Sequence, residues 1–142
     1  MDALELLKQD HQKVKELFEQ AEGIEDSKEQ KQIFRQIKKE LDTHARIEET
    51  VFYPAMRKHE ELEDMVLEAI EEHKEMKALL NEMDGLVNDS EKFESKLTAL
   101  MENVEHHAEE EEEGKMFPEI RKIVDRPALE KLGRELESAK GG

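Results

Sequence analysis

The stretch HARIEETVFYP, residues 44–54, places His44 and Glu48 four positions apart among helix-forming residues. On a helix, side chains at positions i and i+4 lie on one face, one turn apart. A histidine and a glutamate in that arrangement can converge on one metal ion. A related stretch, HAEEEEEGKMFP, occupies residues 107–118. The question for the rest of the chain is whether these pairs are metal ligands or polar residues on solvated helices.

The composition limits both the partners and the kinds of metal site. The chain has 142 residues, enough for one domain with its own core. It carries 38 acidic and 22 basic residues, a net charge of -16 at pH 7, which argues against nucleic-acid and membrane partners. It has no cysteine, which excludes thiolate zinc sites, iron–sulfur clusters and thiol nucleophiles. Histidine and carboxylate remain as ligands, and these suit iron, manganese, zinc or copper.

The pattern of apolar residues predicts an all-α fold. Apolar residues recur at steps of three and four, and strand-like alternation is absent. Four stripes separated by short polar breaks predict an antiparallel, up-down-up-down four-helix bundle over residues 1–124. Ser27 with Gln30 predicts a capping box opening the second helix, and Pro54 predicts a kink or early end of that helix. The third helix is expected to end at 88–90, where the fourth would be capped.

The last residues, 125–142, are predicted to form a short fifth helix and a frayed tail packed on the same domain. Asp125 is placed as its N-cap and Pro127 in its first turn. Lys140 and the two glycines after it are expected to fray. The N-terminus has no signal-peptide core and no run of membrane-spanning length, so we expect a cytosolic protein, either a monomer or a weak homo-oligomer.

Four of the six histidines fall on the apolar stripes, one on each predicted helix: His11, His44, His73 and His107. Burying several titratable groups in an apolar seam costs several kcal/mol unless something compensates them. A single histidine on such a stripe is more often a core residue bonded to a carbonyl, and a single His-x-x-x-Glu pair is typical of a solvated face. The joint pattern instead favours metal binding.

The glutamate of the second copy has two possible registers. The α-helical stripe selects Glu111, four residues after His107. Counting from the proline selects Glu112, because Glu48 precedes Pro54 by six residues and Glu112 precedes Pro118 by six. We favour Glu111 and keep Glu112 as an alternative ligand. These residues are predicted as metal ligands, and no residue is predicted to be catalytic.

Other polar residues near the stripes have simpler interpretations. Tyr53 is the only tyrosine, and core or rim packing is favoured over ligation. His106 lies one position off the stripe and is interpreted as a flanking group. His59 lies in the polar stretch KHEE and is expected to be solvated.

These motifs in this order resemble the hemerythrin family, specifically the bacterial and archaeal hemerythrin-like HHE cation-binding domains. The resemblance covers residues 1 to about 124, and its carriers are Asp10-His11, His44-x-x-x-Glu48 with Phe52-Tyr53-Pro54, Glu72-His73, and His106-His107 with the acidic run and Met116-Phe117-Pro118. It implies a four-helix bundle around a non-haem di-iron centre. It also implies terminal ligands at His11, His44, His73 and His107, with bridging carboxylates at Glu48 and either Glu111 or Glu112.

One position departs from the oxygen-carrying members of that family. They have a second histidine one turn after the third-helix histidine, where this chain has Lys77, which is a poor ligand when protonated. Counting the ligands of two octahedral irons leaves about two positions open, or filled by water or a side chain such as Glu49, Glu72 or Tyr53.

The implied function is to bind or turn over a small ligand such as O2, peroxide or NO, and whether the protein is an enzyme stays open. The alternative is an iron- or cation-binding module for storage or sensing, without catalysis. Zinc or manganese could replace iron in the isolated protein.

Overall fold

The computed structural model describes residues 1–86 and 90–141, and every regular element in these ranges is helical. The elements are α1 (Ala3–Glu22), α2 (Ser27–Ile47), a first π segment (Glu48–Phe52), α3 (Tyr53–Met56), a 3-10 turn (Glu60–Leu62), α4 (Glu63–Asp84), α5 (Ser90–Glu105), a second π segment (His106–Met116), α6 (Phe117–Ile123) and α7 (Arg126–Gly141). The all-helical prediction is confirmed, whereas the up-down-up-down order stays a prediction. The predicted break and cap at Asn88 and Asp89 lie outside the described residues.

The second and fourth predicted helices change their hydrogen-bonding pattern partway along. In a π segment each backbone N–H bonds the carbonyl five residues back. The first segment closes with Tyr53 N–H on the Glu48 carbonyl, and the second with Phe117 N–H on the Glu112 carbonyl. A proline follows each of these residues and has no N–H for the next bond. The helical path nevertheless continues through Pro54, where an early end was possible.

Two clusters of buried apolar side chains flank the polar stripe positions. The first cluster includes Leu4, Leu7, Ile47, Phe52, Tyr53, Val66, Met116, Phe117, Leu129 and Leu136. The second includes Val14, Phe18, Phe34, Ile37, Leu41, Met76, Leu80, Phe93 and Leu100. Four long helical paths each contribute to both clusters, and the stripe histidine of each lies near the change from one cluster to the other. The paths are α1, α2 with the first π segment, α4, and α5 with the second π segment and α6.

The start of α2 differs from the sequence prediction. Asp26, not Ser27, is the N-cap, and its carboxylate accepts from Lys28 N–H at 2.8 Å and Glu29 N–H at 3.3 Å. Gln30 donates its side-chain amide to the Ala21 carbonyl at 3.2 Å, tying α2 to the end of α1. A carboxylate one position earlier therefore takes the capping role that the Ser–Gln spacing suggested.

The C-terminal helix α7 packs against α1 and α2. Asp125 caps it as predicted, since its carboxylate accepts from Ala128 N–H at 2.9 Å. A Cβ built on Gly133 would lie 2.6 Å from the Met1 carbonyl oxygen, so a side chain there would separate α7 from the N-terminus. The predicted fraying at Lys140 is wrong, because α7 runs to Gly141 and the Lys140 ammonium pairs with a carboxylate on α1. Gly142 lies outside the described residues.

Candidate metal centre

The four stripe histidines meet between the two apolar clusters. Their imidazoles are arranged in two pairs: the rings of His11 and His44 lie 4.9 Å apart, and those of His73 and His107 lie 4.8 Å apart. All four side chains are at most 10% exposed. One histidine from each of the four long helical paths therefore reaches a single buried region.

Two fully buried glutamates connect these ring pairs crosswise. The Glu48 Oε1 atom lies 3.0 Å from His44 Nε2 and 3.1 Å from His73 Nε2. The Glu112 Oε1 atom lies 3.1 Å from His11 Nε2 and 3.6 Å from His107 Nε2. Both carboxylates have no exposed surface. Each glutamate thus contacts one histidine from each ring pair, the arrangement that a carboxylate needs to bridge two ions.

The ligand atoms fall into two groups compact enough to hold a cation each. One group consists of His11, His44, Glu48 and Glu112, and the other consists of Glu48, His73 and His107. Glu48 is common to both. The two groups therefore describe adjacent positions that share a carboxylate.

The structure corrects the favoured register of the second glutamate. Glu112 lies in the cluster, while the side chain of Glu111 turns outward to Lys115 at 3.1 Å and His106 at 3.5 Å. The reason is the second π segment, which contains both His107 and Glu112. Its wider turn places the side chain five positions later, not four, on the same face. The count from Pro118 selected the residue that the α-helical period missed.

Each histidine also has a carboxylate behind it, and three of the four are hydrogen-bonded to that carboxylate. The Nδ1 atoms face four carboxylates outside the cluster: Glu113 for His11 at 2.8 Å, Asp10 for His44 at 3.1 Å, Glu49 for His73 at 3.4 Å and Glu72 for His107 at 2.6 Å. The contact between Glu49 and His73 is not a hydrogen bond, and His73 Nδ1 has no other partner. An Nδ1–H donated to a carboxylate fixes the tautomer and leaves Nε2 available to a metal.

These outer carboxylates were only partly anticipated from the sequence. Each is the direct chain neighbour of a cluster residue, yet it serves a histidine on a different helix. α1 supplies Asp10 to α2, the first π segment supplies Glu49 to α4, α4 supplies Glu72 to the second π segment, and that segment supplies Glu113 to α1. The support is therefore cyclic around the bundle. The sequence does show an acidic residue next to a cluster residue on each helix. Which histidine each acidic residue contacts depends on how the helices pack.

The surroundings raise the pKa values of His11, His44 and His107 above their usual values when no metal is bound. Burial alone lowers the pKa of His44, but the Glu48 charge and hydrogen bonds to Asp10 and Glu48 raise it to about 10. Burial likewise opposes protonation of His107, yet the charge of Glu112 and the bond to Glu72 raise its pKa to about 9. Burial raises the pKa of Glu48, but the neighbouring His44 outweighs that effect and holds it well below its usual value.

Tyr53 belongs to the cluster as well as to the apolar core. Its hydroxyl donates to Glu112 Oε2 at 2.7 Å and lies 3.3 Å from His73 Nε2. The side chain is 1% exposed. Burial and the charges of Glu112 and Glu48 raise the pKa of Tyr53 well above its usual value, so the phenol stays protonated. The packing role predicted for Tyr53 is accompanied by a hydrogen bond that orients a cluster carboxylate.

Lys77 lies outside the cluster, behind an outer carboxylate. Its ammonium contacts both oxygens of Glu49, at 2.8 and 3.0 Å, and its side chain is 45% exposed. Glu49 in turn lies against His73. Lys77 therefore pairs with Glu49 and not with a residue of the cluster.

A third, more exposed group consists of Glu72, His106 and Glu111. His106 is 54% exposed and also pairs with Glu110 at 2.8 Å. Lys115 neutralises part of the charge of Glu111. Glu72 and Glu111 are only 15% and 14% exposed, so this group lies partly buried beside the cluster, and His106 is its one exposed member.

The donors in the cluster fit a pair of transition-metal ions. Four imidazole nitrogens and two carboxylates are the ligand types that iron, manganese and zinc accept. Glu48 Oε2 and His44 Nε2 are buried and have no hydrogen-bond partner, although His44 Nε2 lies close to Glu48. A buried polar atom without a partner costs about 1–3 kcal/mol, and a bound cation would remove that cost.

Comparison with known proteins identifies the family. The model of the hemerythrin HHE cation binding domain matches residues 2–120. The chain belongs to this family. The resemblance in the sequence is thereby confirmed, and cation binding is the property that the family description states.

A curated relative extends the comparison beyond the family domain. A DNA nickase of Nostoc sp. (strain PCC 7120 / SAG 25.82 / UTEX 2576) is 30% identical over 140 residues. The alignment covers 99% of this chain but 39% of that protein. No solved structure gives a significant match. No helix in the described ranges is long and apolar enough to span a membrane.

Proposed function

We propose that this hemerythrin-domain protein holds two non-haem iron ions in the cluster and binds or turns over a small ligand such as O2, peroxide or NO. The observation that carries the proposal is the crosswise contact of Glu48 and Glu112 with both histidine pairs. His11 and His44 would hold one ion and His73 and His107 the other, with Glu48 and Glu112 supplying carboxylate ligands. The antiparallel up-down-up-down order of the four helices, which the family resemblance implies, is part of this proposal.

The space beside the cluster supports a small ligand. A cavity of about 20 Å³ lies against all four histidines. Its other walls include the apolar side chains of Val14, Leu41, Met76 and Val104. A volume of that size holds about one water-sized molecule. The position where relatives have another histidine carries Lys77, which leaves coordination positions for such a ligand.

The residues of the chain hold the centre in place and limit the access of water. Bound iron supplies redox and Lewis-acid chemistry. The outer carboxylates orient the imidazoles, and Tyr53 fixes Glu112 through its hydroxyl. The two apolar clusters on either side keep bulk water from the ligand atoms.

The direct test is reconstitution with ferrous iron under anaerobic conditions. The expected result is two iron ions per chain by metal analysis, with near-ultraviolet absorption after exposure to air. His44→Ala is expected to lose iron, and His59→Ala serves as the matched control because His59 lies in the turn between α3 and the 3-10 turn. Wild-type protein that binds no iron would contradict the proposal.

The alternative is a storage or sensing module that binds iron without catalysis. Mixing the iron-loaded protein with hydrogen peroxide separates the two cases. Continued oxygen evolution supports turnover, whereas stoichiometric loss of colour supports a binder or sensor. Replacing iron by zinc or manganese should leave the fold unchanged. The zinc-loaded protein should lack the near-ultraviolet absorption of the iron-loaded protein.

The relative named as a DNA nickase raises cleavage of DNA as a second candidate activity. Its alignment covers nearly all of this chain, so the shared part includes the cluster. However, the chain spans well under half of that protein, and its net charge of -16 repels phosphates. We expect no nicking of supercoiled plasmid by the iron-loaded or manganese-loaded chain. Nicked circles that disappear with His44→Ala would overturn this expectation.

A further inference from the structure

We propose that Lys140, at the end of α7, is a positioning residue for the metal centre and acts through Asp10 on His44. The inference rests on the proposed metal binding. Its starting point is a continuous line of contacts: the Lys140 ammonium pairs with Asp10 Oδ1, and Asp10 Oδ2 lies 3.1 Å from His44 Nδ1. His44 Nε2 then lies 3.0 Å from Glu48 Oε1, the carboxylate common to both ligand groups.

The position of Lys140 is set by packing. α7 buries Leu129, Leu132 and Leu136 in the first apolar cluster. The Asp10 side chain is 10% exposed and that of Lys140 is 32% exposed, so their ion pair is partly shielded from solvent. Partly buried pairs of this kind hold their geometry better than surface pairs, which contribute little. Lys140 is therefore a fixed part of the surroundings of Asp10.

The helix that carries Lys140 lies outside the matched family domain, which ends at residue 120. The ion pair of Lys140 with Asp10 thus depends on a segment that the family model does not include. A carboxylate with two oxygens can serve two donors, and Lys140 occupies the oxygen that His44 does not use. Holding Asp10 in one orientation keeps the His44 ring turned so that Nε2 faces the cluster.

Lys77 provides an internal comparison. It also stands behind an outer carboxylate, Glu49, but it is more exposed, and Glu49 Oε2 lies 3.4 Å from His73 Nδ1 without a hydrogen bond. Hydrogen bonds from Lys77 therefore stop at Glu49, whereas those from Lys140 continue through Asp10 to the His44 ring. We expect the loss of Lys140 to affect the metal more than the loss of Lys77.

The experiment measures the rate at which iron passes from the loaded protein to an excess of a chelator. Lys140→Ala should speed this loss about threefold to tenfold, less than the 10–100-fold typical when a direct outer partner of a ligand is removed. Lys140→Arg should restore most of the retention. Lys131→Ala, which removes an exposed charge from the same helix, should stay within about twofold of wild type, as expected for a substitution without a role at the site.

Two further readouts separate positioning from a general loss of structure. In the Asp10→Ala background, Lys140→Ala should have no additional effect, because the two residues act in one line. In zinc-loaded protein, NMR should show a changed Nδ1–H resonance for His44 but not for His107. Equal iron loss from Lys140→Ala and Lys131→Ala, or an undiminished Lys140 effect without Asp10, would overturn the inference while the proposed function stands. Failure of wild type to hold iron would instead overturn both.

Discussion

The two halves of the cluster are built from related stretches that reach the same result by different spacings. Glu48 and Glu112 are both fully buried, and both backbone carbonyls accept the N–H of the aromatic residue just before a proline. However, Glu48 follows its histidine by four residues, and Glu112 follows its histidine by five. His44 lies in α geometry, because the first π segment starts at Glu48. His107 is already inside the second π segment, so its partner is one position later.

This difference shows that the distance to the proline, and not the distance from the histidine, determines which glutamate faces the cluster. Both glutamates lie six residues before their proline. The carbonyl of the glutamate is fixed by the closing bond of the π segment. How far back the histidine lies then depends on where the segment begins. The first segment has 5 residues and the second has 11, so only the second includes its histidine.

The largest expected effect follows from the place of Glu48 in both ligand groups. Glu48→Gln should reduce bound iron from two ions per chain to fewer than one, with affinity lost by more than about 100-fold, above the range for outer partners of a ligand. Metal analysis after gel filtration measures the stoichiometry. Glu119→Gln, an exposed change on α6, is the matched control. One tightly held ion remaining in Glu48→Gln would show that the groups are independent.

The next prediction tests the register of the second half. Glu112→Gln should abolish binding of at least one ion, whereas Glu111→Gln should leave iron binding within about twofold of wild type, the usual behaviour of a partly exposed position. The reason is that Glu112 contacts His11 and His107, while Glu111 pairs with Lys115. Isothermal titration with zinc compares the two variants directly. The opposite order of effects would mean that the α-helical period holds through residue 112.

A third prediction concerns pH in both halves. The folded-state pKa values of His44 and His107 are raised to about 10 and about 9 from the ordinary 6.5, so metal must displace their protons. Affinity for zinc should therefore rise with pH from about 6.5 to about 9–10. The metal-free protein should show the reverse trend, because a raised pKa contributes stability that is full below 6.5 and is lost as pH rises through about 9 and then about 10. Denaturant unfolding of the metal-free protein across this range measures the second trend, and an affinity independent of pH would contradict the first.

The smallest expected effect concerns the residues that precede the prolines. Tyr53→Phe makes the first half like the second, which has Phe117 there, and it removes the donor to Glu112 Oε2. Leaving that buried oxygen without its donor should lower the free energy of unfolding by about 1–3 kcal/mol. Denaturant unfolding of metal-free protein measures the change, and metal analysis should still find two ions. Phe117→Tyr is the reciprocal control, and loss of an ion from Tyr53→Phe would mean that the phenol is itself a ligand.

Much of the fold could be predicted because helical stripes and caps are local properties. The steps through Leu4, Leu7, His11 and Val14 are enough to define one face of α1. Asp125 capped α7 as expected, since an aspartate before a proline-containing first turn acts on neighbouring N–H groups. The π segments could not be predicted from periodicity that assumes α geometry. The preference for Glu111 over Glu112, which is the glutamate that lies beside the stripe histidines, follows from that assumption.

By itself the sequence determined which residue types were available, on which face of each helix they lay, and that histidine and carboxylate were the only strong metal ligands. The tertiary structure alone decided how they combine. It paired His11 with His44 and His73 with His107, and it assigned each outer carboxylate to a histidine on another helix. The physical reason is that spacing along one helix fixes only the direction of a side chain. The atoms it meets depend on how the helices pack and on how many residues each turn contains.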